Sequence, residues 1–114
     1  EYEEAWFNLG NVCVKLNRYE EAIEAYREAL RINPKNAMAW NNLGFSYGNL
    51  KRHGEAVEAF QQHLLLKPSA DAWENLVIAY AQSGNREAML DALQRLQRLY
   101  PDRAEKLLNK LSPR

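Results

Sequence analysis

Trp40-Asn41-Asn42-Leu43-Gly44-Phe45-Ser46-Tyr47, then Ala56-Val57-Glu58-Ala59-Phe60, then Lys67-Pro68: this stretch decides the fold. Leu43, Gly44 and Tyr47 follow Trp40 by three, four and seven residues, which is one face of an α-helix and not the alternation of a strand. A polar break at Lys51 to His53 separates it from a second apolar face, Ala56, Val57, Phe60 and Leu64. That second helix must end before Pro68, because a proline pushes the residue before it out of the helical region. One helix hairpin results, and the rest of the chain repeats it.

Working outward, Trp6, Trp40 and Trp73 recur after 34 and then 33 residues, and Pro34, Pro68 and Pro101 each follow their tryptophan by 28. The one missing residue therefore lies in the Pro68 to Trp73 connection, not in a helix. Three units follow, about 3–36, 37–69 and 70–102, each holding two helices. Unit one turns around Asn17-Arg18. Unit three turns at Ser83-Gly84-Asn85, where Gly84 can take the left-handed conformation and Asn85 can cap the next helix. After Pro101, Asp102-Arg103-Ala104-Glu105 has the form of a capping box with Asp102 as N-cap, and Leu107, Leu108 and Leu111 form a stripe. A seventh helix is expected over 103–114, covering the open end of unit three with its Met89, Leu90, Leu93, Leu96 and Leu99.

The pattern W-x2-L-G-x2-Y, then A-x3-F/Y, then P resembles the tetratricopeptide repeat. Unit two matches at every position. Unit one departs only at Cys13, where the family has an aromatic; unit three has Val77 for the glycine, Met89 for the alanine and Leu93 for the aromatic. The resemblance covers residues 3 to 102. It implies an all-α, right-handed superhelical solenoid of three helix-turn-helix repeats with a C-terminal capping helix, acting as a scaffold for protein-protein interaction. The small residues Gly10, Gly44, Ala22 and Ala56 would let paired helices approach closely, and Val77 with Met89 would open the third pair.

At about 100° per residue, the fourth, seventh, eighth and eleventh positions of each first helix form the core stripe. The opposite face carries Glu4, Phe7, Asn8, Asn11, Val14 and Lys15; then Met38, Asn41, Asn42, Phe45, Gly48 and Asn49; then Asp71, Glu74, Asn75, Ile78, Ala81 and Gln82. In proteins that resemble this one, that face lines the groove where partner peptides lie. Asparagine is a poor helix former and an exposed Phe or Ile is unfavourable, so a cover is expected. Asn8, Asn42 and Asn75 share one position and would offer a ladder of amides to an extended peptide, or else bond to neighbouring helices. Phe7, Phe45 and Ile78 would supply apolar contacts. Some tetratricopeptide domains hold acidic chaperone tails in a carboxylate clamp. Here Asn11 and Asn42 fit that clamp, but Phe7, Asp71 and Asn75 stand where it needs cations. With Lys15 set against Glu4, Asp71 and Glu74, the expected partner is a neutral or basic rather than acidic peptide.

Composition narrows the alternatives. The 114 residues carry 15 Lys plus Arg against 15 Asp plus Glu, so no overall field favours nucleic acid. No apolar run approaches the ~18 residues that a spanning helix needs, which excludes membrane insertion by one. The lone Cys13 rules out an internal disulfide and reads as a small core filler. His53 and His63 point about 80° apart on one helix and cannot share a metal, and His63 reads as a packed, hydrogen-bonded core group. Asp71 and Glu74 suit the first turn of a helix capped by Ser69 better than catalysis. The chain is not expected to be an enzyme or to need a cofactor. Arg103, Lys106, Lys110 and Arg114 read as a solvated basic face. Self-association through the solenoid ends is the alternative function, because α-helical stacks with uncapped ends tend to pair. Location is left unknown, with a soluble cytoplasmic setting favoured.

Overall fold

Each segment of helical period forms a helix, and each polar break a turn. A computed structural model describes residues 2–111 as α1 (Glu3–Lys15), α2 (Tyr19–Ile32), α3 (Ala37–Asn49), α4 (His53–Leu66), α5 (Ala70–Ser83), α6 (Arg86–Leu99) and α7 (Pro101–Leu111). The side chains of Asn36, Ser69 and Asn85 accept hydrogen bonds from the backbone N–H groups of Ala39, Ala72 and Ala88 at 3.0, 3.1 and 3.1 Å, satisfying donors that a helix start leaves free.

The turns within the three hairpins share one device. Asn17, Lys51 and Gly84 take φ of 60, 62 and 79°, and the next residue's N–H returns to the carbonyl five positions back, from Arg18 to Cys13, Arg52 to Tyr47 and Asn85 to Tyr80. This left-handed residue closes the helix end. Unit three alone places glycine there, and units one and two hold a bulkier residue in the same conformation. The capping box expected at Asp102 is not formed. Helix α7 begins two residues earlier than expected, at Pro101, whose missing N–H costs nothing at that position, and Asp102 lies in the first turn, where its charge suits the helix dipole.

Every helix packs chiefly on its neighbours in sequence, and the connections are too short for any arrangement but antiparallel pairs. The stack measures 44 × 24 × 21 Å with a radius of gyration of 14.6 Å. A globular domain of this length would have about 13 Å, so the molecule is an elongated solenoid. The core divides in two. The larger part runs through the first two units and ends at Leu76 and Ala79; the smaller consists of Val77, Ala92, Leu96, Ala104 and Leu107. In the first part, Gly10 and Gly44 face the rings of Tyr26 and Phe60 so closely that an added Cβ would lie 2.5 and 2.7 Å from ring carbons. In the second, Val77 is buried at the equivalent place, and α7 covers the end of α6.

That cover differs in detail from the expected leucine stripe. Ala104 and Leu107 are buried, whereas Leu108 and Leu111 are exposed, as are Leu90 and Leu99 on α6. Ser112, Pro113 and Arg114 of the expected tail lie outside the described residues. At the other end, Leu9 occupies a core position of its unit but is exposed, with no described helix lying over it. Cys13 is a buried free thiol.

Candidate functional site

The first helices of the units, α1, α3 and α5, set their non-core faces side by side, and asparagines join them. The Asn42 amide donates to Asn11 Oδ1 at 3.1 Å and the Asn75 amide to Asn41 Oδ1 at 3.2 Å, while Asn41 donates to Asn42 Oδ1 at 3.4 Å. The Tyr26 hydroxyl donates to the same Asn11 oxygen at 2.5 Å. Burial pushes the Tyr26 phenol up to about 12, with the Asn42 amide acting the other way. The expected ladder of free amides is thus a chain of bonds between helices. Asn42 and Asn75 spend a donor holding neighbouring units in register. Asn8 is exposed.

The remaining groove residues are dispersed along this face. Phe7 is half-buried, its ring 6.0 Å from that of Tyr26, and belongs to the core as much as to the groove. Lys15 is exposed at the end of α1. Met38 and Phe45 are exposed on α3, and the Phe45 ring stands edge-on to Phe60 at 5.1 Å. Asn49 is exposed, and its amide turns back to the Phe45 carbonyl oxygen at 2.8 Å. On α5, Ile78 is half-buried against the smaller core, Glu74 and Asn75 are half-buried, and Asp71 and Gln82 are exposed.

Two crevices gather most of them. One, of about 200 Å³, lies between α3 and α5 and is lined by Gly44, Phe45, Gly48, Asn49, Asn75, Ile78 and Gln82, with Ala56, Phe60 and Ala79 at its base. The other, of about 400 Å³, is lined by Met38, Asn41, Phe45, Asp71, Glu74 and Asn75 together with His63, Lys67 and Ser69. Phe45 stands in the wall of both. Phe7, Asn8, Asn11 and Lys15 line neither. Crevices of about 430 and 360 Å³ recur around Trp40 and Tyr47 and around Trp73 and Tyr80, and include none of the expected groove residues.

The site also holds groups that helical periodicity alone does not assign to it. Arg103, from the first turn of α7, binds both Asp71 and Glu74, the latter at 2.6 Å. The Asp71 and then the Glu74 carboxylate raise its pKa. The chain separation of about thirty residues leaves no local signal for this pairing. His63 is buried beside the second crevice, and its Nδ1 has no hydrogen-bond partner among the described residues, so it is packed but not satisfied as expected. Burial lowers its pKa, Lys67 adds to the lowering and Asp71 opposes it. Among the described residues, no group of three or more His, Cys, Asp or Glu could hold a metal ion. No helix among them is long and apolar enough to cross a membrane.

Family models described as TPR repeat, tetratricopeptide repeat and tetratricopeptide repeat match residues 10–51, 37–69 and 71–103. The chain belongs to the tetratricopeptide repeat family. No curated protein matches it. Among known structures, this tetratricopeptide chain is similar to MamA, with 24% identity and a TM-score of 0.78 over 98% of the chain, and it spans 58% of MamA's length. The N-terminal domain of stress-induced protein-1 from C. elegans has 20% identity and a TM-score of 0.81, the match covering 94% of this chain and 92% of that one. The first TPR of Spaghetti, bound to the HSP90 peptide SRMEEVD, has 23% identity and a TM-score of 0.80, with 96% and 90% covered.

The last comparison corrects the expectation of a neutral or basic rather than acidic partner. A domain of the same fold holds a peptide with three acidic side chains in its sequence. Summing formal charges over one helix face was too coarse a guide, and it left out Arg103, which neutralises part of the Asp71 and Glu74 charge from another helix.

Proposed function

We propose that this tetratricopeptide chain is a non-catalytic scaffold that binds an extended or helical segment of a partner protein along the face of α1, α3 and α5. Its units are 3–36, 37–69 and 70–102, with 103–114 as the capping segment, and it works in a soluble cytoplasmic setting, where the lone free thiol of Cys13 is at home. The observation that carries the reading is Phe45. A large aromatic ring exposed between two polar-lined crevices is the usual anchor for a partner side chain. Because Asn41, Asn42 and Asn75 already bond one another, the amides contribute their remaining donors and acceptors at the rim, and Phe45, Met38 and Ile78 supply the apolar contact. The peptide bound by Spaghetti makes acidic sequences part of the class to be tried.

The test is a fluorescence-anisotropy screen of labelled neutral, basic and acidic heptapeptides, SRMEEVD among them, followed by Phe45→Ala on every binder. Truncating a central aromatic anchor costs about 2 kcal/mol, so affinity should fall about thirtyfold. Leu90→Ser, on α6 and outside both crevices, should leave it unchanged. Binders that ignore Phe45→Ala would place the site elsewhere.

A further inference from the structure

The three connections that lead from the second helix of a unit to the next helix can be compared place by place, because each contains a proline: Pro34, Pro68 and Pro101. At the first, the Asn33 and Asn36 amides donate to the two carboxylate oxygens of Glu3 at 3.3 and 2.6 Å. At the third, Arg103, which follows its proline by two residues as Asn36 does, binds Asp71 and Glu74. In both, acidic side chains from the start of the unit's first helix meet the donors of the connection that closes the unit. The middle connection has donors and no acid. Lys67 stands at the place of Asn33, and Ser69, whose oxygen accepts from the Ala72 N–H at 3.1 Å, keeps its hydroxyl hydrogen to donate. Ala37 stands at the place of Glu3, and the first turn of α3 holds no acidic residue. Lys67 is exposed and has no ion pair among the described residues.

The crevice of about 400 Å³ opens at this connection, with Met38, Lys67, Ser69 and His63 in its wall. His63 is 6% exposed and its Nδ1 has no partner among the described residues. With no acceptor at Nδ1, the neutral ring is assigned its proton on Nε2, which makes it an N–H donor. Unit one, which has Glu3, carries Ala29 at the place of His63 and offers no such donor. Asp71 and Glu74 also border the crevice, but both are bonded to Arg103. We infer that this crevice is a subsite for the side-chain carboxylate of a glutamate or aspartate in the partner, taking the place that Glu3 fills in unit one. Lys67 supplies the counter-charge, His63 and Ser69 the hydrogen bonds, and the start of α5 the positive end of its dipole. A side chain is the occupant because the group bound at the first connection is itself a side-chain carboxylate. The inference rests on the groove reading above and names one residue class of the segment that lies there.

Nuclear magnetic resonance of the whole chain tests it with blocked amino acids. At about pH 7.5 and matched ionic strength, N-acetylglutamate N-methylamide should shift the His63 ring and Ser69 amide signals saturably, and its glutamine analogue should not. Lys67→Met should weaken the glutamate probe about tenfold, as expected for one lost charged hydrogen bond. Ala37→Glu should supply the missing carboxylate from within, move the same signals without a probe and abolish the probe's effect. Ala37 is half-buried in a first turn, where an acid is favourable, so the variant should fold. Equal shifts from the two analogues, a glutamate response that survives Ala37→Glu, or one matched by N-acetylalanine through its terminal carboxylate would each overturn the inference. Peptides that depend on Phe45 while the glutamate probe leaves His63 unmoved would overturn it and spare the groove. A probe that shifts His63 while no peptide depends on Phe45 would support the carboxylate site and remove the groove reading.

Discussion

The two ends of the stack carry the same kind of apolar face and meet opposite fates. At the C-terminal end, the face of α6 that a further unit would cover is closed by α7, which buries Leu96 against Ala104 and Leu107 and ties itself to α5 through Arg103. At the N-terminal end, Ala5 and Leu9 repeat the pair Ala39 and Leu43, yet no described helix lies over them. One residue pattern is therefore core or surface according to whether a neighbouring helix exists. In a quasi-one-dimensional protein each unit is stabilised by its own pairing and by its contact with the next. Substitutions at equivalent places should measure the difference directly.

The largest effect is expected at the closed end. Leu96 is fully buried, so Leu96→Ala removes its packing and leaves a cavity under α7; about 4 kcal/mol of stability should go, read by urea denaturation. A loss below about 1 kcal/mol would mean that α7 does not hold the end shut. In the middle of the stack, Gly44→Ala sets the gain of helix propensity, about 1 kcal/mol, against a Cβ that would sit 2.7 Å from the buried Phe60 ring. Overpacking of this sort costs about 2 to 3 kcal/mol, so a net loss of about 1 to 2 is expected. Unit three already carries Val77 at that place, and Leu93 stands at the repeat position of the Tyr26 and Phe60 rings. The swap therefore separates its looser pairing from the tight one.

A graded effect comes from one position seen at three interfaces: Ala29, His63 and Leu96 recur at about one repeat length and all three are buried. Burial lowers the folded pKa of His63 from its ordinary 6.5, with Lys67 acting in the same direction and Asp71 against it. The unfolded chain then takes up a proton near pH 6.5 that the folded chain refuses. The stabilising contribution is present above that pH and lost as the pH falls below it toward the folded value. Glu55, whose pKa is lowered first by its hydrogen bond to Arg52, acts only further down, below 4.5. Denaturation midpoints at pH 7.5, 6.5 and 5.5 should fall for the native chain and stay level between 7.5 and 5.5 for His63→Leu, which copies the residue at the closed end. An equal fall in the variant would assign the loss to other groups.

Much of this was legible in the residues. Repeat phase, helix pairing, the caps at Ser69 and Asn85, the left-handed Gly84 and the buried Cys13 all follow from spacing and local chemistry. What escaped was set by neighbours distant in sequence. A helical wheel shows which face Leu9 is on but not whether a helix lies over it. It puts Asn42 and Asn75 on the groove side but not within reach of Asn11 and Asn41. Arg103 joins the site across a whole repeat, and no periodicity within α7 marks it out.

The smallest expected effect is the sharpest test of the comparison. Leu9→Ala and Leu43→Ala delete the same atoms from the same position of adjacent units, on helices of equal length. Leucine and alanine differ little in helix propensity, so the helix itself contributes almost nothing to either change. Leu43 is buried between α2 and the rest of its unit, and its loss should cost about 3 kcal/mol through lost transfer energy and a cavity. Leu9 leaves no cavity because solvent already reaches it, and in dilute solution its loss should stay within about 0.5 kcal/mol. A Leu9→Ala cost that is large in dilute solution would show that α1 is covered by something within the monomer, and the contrast between the two ends would vanish.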